Sequence, residues 1–322
     1  MSIKQFTYED VIQARNRVAP YVMQTALDHS IYLSGETHSV YFKLENQQPI
    51  KSFKLRGALN RILQLTEEEK EHGIAAISSG NHGVAVAYST KLLGLKPATI
   101  IVPETTPESK VEKIKYYGGN VVLMGSCYDD AHVMGTRYAN EHNYVIVDGG
   151  DEDPIVFAGQ GTIALEMLRQ NPDIDTILLP IGGGGLGVGC SVAAKGINPN
   201  IKVIAVYTEA CTAWVDSIRD NKPYYVYDSA PSVCEAMIGG VGKLGFEMVS
   251  WIDGFIGVSE DAIKKAMIHM LFHEKVVVEA TSAAPVAALM EKPELIPGKH
   301  IGIVISGGNA DNQIFIDEMK KL

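Results

Sequence analysis

Short apolar runs alternate along this chain with segments of helical period, and that alternation narrows the fold more than any other feature. The runs are "VYFKLEN" (40–46), "IAAISS" (74–79), "ATIIV" (98–102), "NVVLMG" (120–125), "YVIVDG" (144–149), "TILLPI" (176–181), "KVIAVYTE" (202–209) and "HIGIVISGG" (300–308). Between them, "RGALNRILQL", "HGVAVAYSTKLLG", "SKVEKIKYYGG" and "CYDDAHVMGTRYANEH" read as helices. Strands that are apolar throughout, separated by helices, belong to parallel sheets covered on both faces. The expected fold class is α/β, with two domains, each a mostly parallel sheet flanked by helices. A length of 322 residues agrees with about two domains. Boundaries are expected near 73 and 148. Residues 1–73 and 149–322 then form a large domain carrying both chain ends, and 74–148 a smaller domain that closes over the ligand. In such folds the ligand sits where the carboxyl ends of the strands meet, in the cleft between domains.

The net charge of −10, with no basic tail, argues against nucleic acid and against anionic membrane surfaces. The opening "MSIKQFTYED" has no apolar core of a secretory leader, and no apolar run approaches the roughly 20 residues of a spanning helix. Cys127, Cys190, Cys211 and Cys234 are scattered, with no C-x-x-C, as expected of reduced thiols in a cytoplasmic protein.

One residue stands out against this background. In "KSFKLRGALN" (51–60), Lys54 falls between a strand and a helix, beside Phe53. A helix start favours anions, so a cation there is poorly placed. It is either a solvated lysine or an amine held as a reagent.

Three turns follow strands and open helices. "SSGNHG" (78–83) offers hydroxyls and backbone N–H groups to a carboxylate or a phosphate, although ordinary helix capping also explains it. Within it, His82 is either a base or a hydrogen-bonding residue. "PIGGGGLGVG" (180–189) has four consecutive glycines. Each costs backbone entropy, so the run implies a ligand that comes very close to the main chain. Gly182, Gly184 and Gly187 also fit the dinucleotide spacing, with Glu209 one strand further on. From this loop alone a nicotinamide-dependent oxidoreductase leads, and a binding module for a small phosphorylated ligand is the non-enzyme alternative. "ISGGN" (305–309) closes the last strand, and its serine reads either as a ring contact or as a plain turn.

A dinucleotide would use one loop and leave "SFK", "SSGNHG" and "SGGN" unexplained. Pyridoxal 5′-phosphate would use all four features: a lysine for the Schiff base, a phosphate cradle, a partner for the pyridine nitrogen and a carboxylate site. "KSFKLRGA", "SSGNHG", "AGQGTIALEML", "GGGGLG", "VVVEA" and "SGGN" occur here in that order. The chain thereby resembles the fold type II pyridoxal-phosphate enzymes (the tryptophan synthase β-like fold), and within them the serine/threonine dehydratase and serine racemase branch. The resemblance spans nearly the whole chain.

The resemblance implies roles position by position. Lys54 would carry the cofactor and act as the base on Cα, and Phe53 would pack on the pyridine ring. Asn81 would bond the cofactor's phenolic oxygen. Gly182, Gly183, Gly184, Gly185 and Leu186 would cradle the phosphate, and Ser306 would face the pyridine nitrogen. Ser78, Ser79, Asn81 and His82 would hold the substrate carboxylate, and Glu279 would lie near the ring. The implied reaction is β-elimination from a small hydroxy amino acid such as L-threonine or L-serine, giving a 2-oxo acid and ammonia, in a cytoplasmic homodimer. A neutral hydroxyl at Ser306 makes the ring a weaker electron sink. That suits prompt loss of a Cβ leaving group better than transamination.

Some positions depart from the branch. Ser79 is the racemase-like choice, so amino-acid racemisation is the alternative activity, with Ser79 serving the face of Cα opposite Lys54. "VCEA" (233–236), followed by "MIGGVG", resembles dehydratases of hydroxyectoine breakdown. It leaves hydroxyectoine-derived amino acids and 3-hydroxyaspartate open as substrates. Glu209 and the carbonyl of Ala213 match a divalent-cation site of related enzymes. The third ligand falls on the apolar Val215, with Asp216 one place late, so the oxygen-rich coordination a hard cation needs is incomplete.

Overall fold

The computed structural model describes residues 5–149 and 152–321, with only the main chain of Asp129. Residues 1–4, which belong to the amino-terminal stretch read above for a leader, lie outside the described residues. Among the described residues, ten strands form two sheets. In chain order they are β1 (Leu27–Ser30), β2 (Ser39–Leu44), β3 (Ile74–Ile77), β4 (Thr99–Val102), β5 (Asn120–Leu123), β6 (Val145–Ile146), β7 (Thr176–Pro180), β8 (Lys202–Thr208), β9 (Gly254–Val258) and β10 (His300–Ile305). The larger sheet runs β1-β2-β10-β7-β8-β9 and the smaller β5-β4-β3-β6. Every pairing is parallel except β1 with β2. Strands β3, β4 and β7 are buried at every position, as continuous apolar runs covered on both faces must be.

The larger sheet separates two apolar cores. One lies under the helices Tyr8–Val18, Pro154–Gln170 and Gly185–Ile197, the other under Glu260–Phe272, Ala280–Glu291 and Asn312–Met319. A third core joins the smaller sheet to the helix Asn81–Leu92 and reaches back to Ile50, Leu55, Leu59 and Ile62. The helix Lys54–Ile62 therefore packs its apolar face on the smaller unit while its chain leaves the larger sheet.

Glycine contacts fix that helix in place. At Gly159 an added Cβ would lie 2.7 Å from the Cα of Gly57, so the Lys54–Ile62 and Pro154–Gln170 helices cross where neither tolerates a side chain. At Gly161 it would lie 2.5 Å from the Gly189 carbonyl oxygen, which docks Pro154–Gln170 on Gly185–Ile197 in the same way. "RGA", "AGQG" and "GVG" are thus packing devices that connect the start of the Lys54 helix to the glycine loop.

A buried ionic cluster backs the same crossing. The Arg56 guanidinium grips Glu45 through Nε at 2.7 Å and Nη2 at 2.8 Å, and donates to Glu166 at 2.8 and 2.9 Å. Lys43 Nζ donates to Glu166 at 2.9 Å. Arg56, Lys43 and Glu45 are fully buried, and two cations face two carboxylates, so no charge is left unpaired.

Candidate active site

Parallel pairing places the carboxyl ends of adjacent strands β2, β10 and β7 at one edge of the larger sheet. The segments that follow them hold Lys54, Ser306 and the glycine loop. From the smaller sheet, β3 delivers Ser78, Ser79, Asn81 and His82. Gly149, in the segment after β6, links the two groups, because the Lys54 Nζ donates to its carbonyl oxygen at 2.5 Å.

Lys54 opens its helix with Phe53 at the cap position, and the Phe53 ring centroid lies 5.5 Å from Nζ. The Phe53 N–H donates to the Ser306 carbonyl at 3.0 Å, and Ser52 bridges to Gly307. These backbone contacts hold the lysine segment against the end of β10.

The helices that begin at Lys54, Asn81 and Gly185 have no side-chain cap, whereas Thr7, Thr66, Asp153, Ser259 and Asp311 cap theirs. At the Lys54 helix the Ser52 hydroxyl accepts the Lys54 N–H at 3.4 Å, while the starts at Asn81 and Gly185 offer backbone N–H groups to which no side chain of the cap residue bonds. In the glycine loop, a Cβ on Gly182 would lie 2.2 Å from the Ala236 carbonyl oxygen, and Gly184 sits at φ 104. The loop is pinned from outside by Trp214, whose Nε1 donates to the Gly182 carbonyl at 2.7 Å. The result is a bare backbone cradle with the positive end of the Gly185–Ile197 helix behind it and Leu186 buried beneath.

The Ser78–His82 turn is more heavily committed. Ser78 Oγ accepts its own Gly80 N–H at 3.2 Å. The Ser79 hydroxyl is half-buried and has no hydrogen-bond partner among the described residues. His82 is buried, and its Nε2 bonds the Val147 carbonyl at 2.9 Å. Burial, helped by the nearby Lys54 charge, pushes its imidazole down to about 4. The ring is then neutral with its proton on Nε2, and Nδ1 is a bare acceptor without a partner among the described residues. His82 therefore carries no imidazolium charge at this turn, and what it offers a ligand there is its backbone N–H.

Asn81 is held by two large-sheet residues. Its Nδ2 donates to the two Glu279 oxygens at 3.0 and 3.1 Å, and its Oδ1 accepts from Asn309 Nδ2 at 2.5 Å. Glu279 is not at a strand end. It precedes the helix Ala280–Glu291 and accepts the Asn309 N–H at 3.2 Å. Burial pushes its carboxyl above the ordinary value, against the pull of the Asn81 hydrogen bond.

Ser306 is buried just past β10, and its Oγ lies 2.8 Å from Ser282 Oγ. The sequence offered no signal for Ser282, one serine in the small-residue stretch "EATSAAP". Asn309 lay inside the recognised "SGGN" motif without a role assigned to it.

The Glu209 and Ala213 positions are configured differently from a cation site. Glu209 Oε1 accepts Lys292 Nζ at 2.9 Å, and the Asp216 carboxylate is taken by Thr212 at 2.7 Å, by Arg219 at 2.6 Å and by Tyr227. Among the described residues, no group of three or more His, Cys, Asp or Glu is arranged to hold a metal ion.

Pyridoxal phosphate fits this donor set. The cradle has no side chains and an uncapped helix behind it. A buried hydroxyl follows the adjacent strand β10, and an amine lies in the segment after β2, on the far side of β10. The comparisons agree. A family model described as pyridoxal-phosphate dependent enzyme matches residues 18–307. The chain is 40% identical over 308 residues to an L-threonine ammonia-lyase of Thermotoga maritima, covering 95% of this chain and 76% of that protein. It is 37% identical over 310 residues to a catabolic L-threonine dehydratase of Staphylococcus aureus, covering 94% and 88%. The solved structure of maize serine racemase superposes with a TM-score of 0.90 at 33% identity, covering 99% of this chain and 98% of that one.

Proposed function

This chain belongs to the family of pyridoxal-phosphate dependent enzymes, and we propose that Lys54 is the base of its β-elimination, with L-threonine or L-serine as substrate. It is a lyase that dehydrates and deaminates a small hydroxy amino acid to a 2-oxo acid and ammonia. The observation that carries the assignment of Lys54 is its amine, held 2.5 Å from the Gly149 carbonyl and close enough to His82 to bear on its imidazole.

When bound, the cofactor supplies an electron sink for the negative charge that develops at Cα. The chain supplies the rest. Helix-start N–H groups of Asn81 and His82, with the Ser79 hydroxyl, hold the substrate carboxylate. The Lys54 amine takes the Cα proton, the Cα–H electron pair forms the Cα–Cβ double bond, and the Cβ–O bond breaks as the leaving hydroxide takes that proton back from the Lys54 ammonium and departs as water. The released enamine tautomerises and takes up water to give the 2-oxo acid and ammonia. With the cofactor bound, Phe53 would pack against its ring, Asn81 would bond its phenolic oxygen, and residues 182–186 would hold its phosphate. The unit 74–148 closes over the substrate, and Asn81–Glu279 is one contact through which it docks.

A racemase is the second reading. It is favoured by the uncommitted Ser79 hydroxyl and by the likeness to maize serine racemase. Dehydration of 3-hydroxyaspartate or of a hydroxyectoine-derived amino acid remains within the same chemistry. We place the enzyme in the cytoplasm, since all four cysteines are free. No helix of the described residues is long and apolar enough to cross a membrane. We also place it in a homodimer, supported by Ile31, Tyr32 and Phe272 exposed around His273.

The experiment is a product assay with L-serine, L-threonine and 3-hydroxyaspartate, reading 2-oxo acid, ammonia and the chirality of residual substrate. The expected result is the highest kcat/KM for L-threonine or L-serine. Absence of 2-oxo acid from all three would remove the reading, and dominant racemisation would put the second reading in its place.

A further inference from the structure

The helix Glu108–Tyr116, which packs Ile114 into the core of the smaller sheet, turns another face toward the larger one. Lys110, Lys113 and Tyr117 fall at i, i+3 and i+7, the spacing of one helix face. Each reaches a different segment that follows a strand of the larger sheet. Lys110 Nζ donates to Glu235 at 2.6 Å, and the Tyr117 hydroxyl donates to the Pro49 carbonyl at 3.0 Å. Lys113 Nζ donates to Asn309 Oδ1. The first two contacts end there, and the third continues into the site.

From Lys113 three hydrogen bonds run in one direction. Asn309 Nδ2 donates to Asn81 Oδ1 at 2.5 Å, and Asn81 Nδ2 donates to the Glu279 oxygens at 3.0 and 3.1 Å. The two ends fix that direction, because an ammonium only donates and a carboxylate only accepts. A reversed Asn309 amide would set its NH2 against the ammonium. Its oxygen would then face the Ile50 carbonyl, which now accepts from Nδ2 at 3.1 Å. With Asn309 fixed, a reversed Asn81 would set NH2 against NH2. The two Glu279 oxygens belong to one carboxylate and lie within reach of one Asn81 N–H. The second Asn81 N–H is therefore the one available to the cofactor's phenolic oxygen.

The charges support the same arrangement. Burial pushes the Glu279 carboxyl up and Lys113 pulls it down, while burial lowers the Lys113 amine and Glu279 raises it. Glu235, which pushes Glu279 further up, is itself held by Lys110. Without the Lys113 ammonium, Glu279 would take up a proton more readily and need an acceptor. Reversal of both amides supplies one, opposed by the Ile50 carbonyl. A reversed Asn81 then presents an oxygen to the phenolic oxygen in place of an N–H.

We propose that Lys113 is a positioning residue whose ammonium, acting through Asn309, keeps the Asn81 N–H turned toward the cofactor's phenolic oxygen. This rests on the reading that Asn81 faces that oxygen. Hydrogen bonds linked in a chain polarise one another, so the ammonium also strengthens the donor that Asn81 presents. An N–H donor favours the phenolate form of the bound cofactor, which is yellow. An acceptor favours the neutral phenol, which absorbs in the near ultraviolet.

The test is the absorption spectrum of the reconstituted holoenzyme, read as the ratio of the visible to the near-ultraviolet band at one pH. Asn81→Ala should lower the ratio. If it does not, Asn81 does not face the phenolic oxygen, and the underlying reading falls with the proposal. Lys113→Met keeps an unbranched side chain without the charge. It should lower the ratio about fivefold, the equivalent of about 1 kcal/mol at 1.4 kcal/mol per tenfold. If Asn81→Ala lowers the ratio and Lys113→Met leaves it in place, the role of Lys113 is overturned while that of Asn81 stands. Lys113→Arg keeps a cation at the position and should restore most of the ratio. A ratio as low as that of Lys113→Met would overturn the charge as the cause, and the proposal with it. Tyr117→Phe removes a docking bond on the same face and should leave the ratio in place. A fall equal to that of Lys113→Met would make the effect one of docking and overturn the proposal. Methionine and arginine are good helix formers, so the Glu108–Tyr116 helix is kept, and a melting curve verifies this.

Discussion

The Nζ of Lys54 donates to the carbonyl oxygen of Gly149 at 2.5 Å, and two residues earlier the Val147 carbonyl accepts from His82 Nε2 at 2.9 Å. One short segment after β6 thus holds both the Lys54 amine and the start of the Asn81–Leu92 helix. The lysine belongs to a helix anchored on the larger sheet, and the segment belongs to the smaller one.

The helix that carries Lys54 is anchored by Arg56, and this anchor should dominate stability. Arg56→Met leaves the buried Glu45 without its partner, and removing one member of a buried pair costs about 3–5 kcal/mol. A urea midpoint measures it. The pH dependence has a definite sign. Burial raises the Glu45 carboxyl, but the Arg56 charge outweighs it and holds the group below its ordinary 4.5. A depressed carboxyl contributes stability above the unfolded value that is lost as pH falls through the folded one. The wild type should lose stability below about pH 4.5, and Arg56→Met should lose less over that window.

Glu279 has the opposite sign. Its carboxyl is raised by burial, so the folded chain binds that proton more tightly than the unfolded chain and stability falls as pH rises through the window above 4.5. Glu279→Gln removes the titration. Its melting midpoint should gain on that of the wild type as pH rises, a trend read from paired melts across pH. Parallel curves would show that Glu279 titrates alike in the folded and unfolded chains.

The glycine cradle is tested by one methyl group. At Gly182 an added Cβ would lie 2.2 Å from the Ala236 carbonyl oxygen, so Gly182→Ala must displace the loop. Overpacking of this kind costs about 1–3 kcal/mol. Apoenzyme titration with pyridoxal phosphate should show affinity reduced about tenfold or more. Gly35→Ala is the control, because nothing lies within 4 Å of its added Cβ.

Ser79 separates the two activities. Ser79→Ala should keep most dehydration of the L-substrate, since the helix-start N–H groups still hold the carboxylate. Racemisation, or elimination from a D-substrate, should fall at least about tenfold, the effect of losing a positioned acid/base group. Chiral chromatography beside a 2-oxo acid assay measures both, and an equal fall in both would leave Ser79 with its carboxylate-binding role alone and no part in proton transfer.

Much of this architecture was legible in the sequence, and the exceptions have physical causes. Continuous apolar runs marked β3, β4, β7 and β10 because burial on both faces leaves no room for polar residues. β1 gave no such signal: "LDHS" is a polar edge strand, exposed at two of its four positions and paired antiparallel with β2. In β9, "GFIGV", two glycines hide the apolar run. "YVIVDG" shortens to Val145–Ile146 because its later carbonyls serve His82 and Lys54. At the site, the lysine and the glycines could be named from their residue types alone, whereas residues that bond to them only through the fold could not. Ser282 bonds to Ser306 across 24 positions of sequence, and Asn309 to Asn81 across 228, and neither separation leaves a local pattern.

The most direct measurement is borohydride reduction of the yellow holoenzyme followed by peptide mass analysis, run on the wild type and on Lys54→Ala. The account predicts pyridoxyl mass on the single peptide containing Lys54 in the wild type. In Lys54→Ala it predicts cofactor bound without covalent attachment and 2-oxo acid production lost. Pyridoxyl mass on a different lysine, or near-normal 2-oxo acid production by Lys54→Ala, would contradict it.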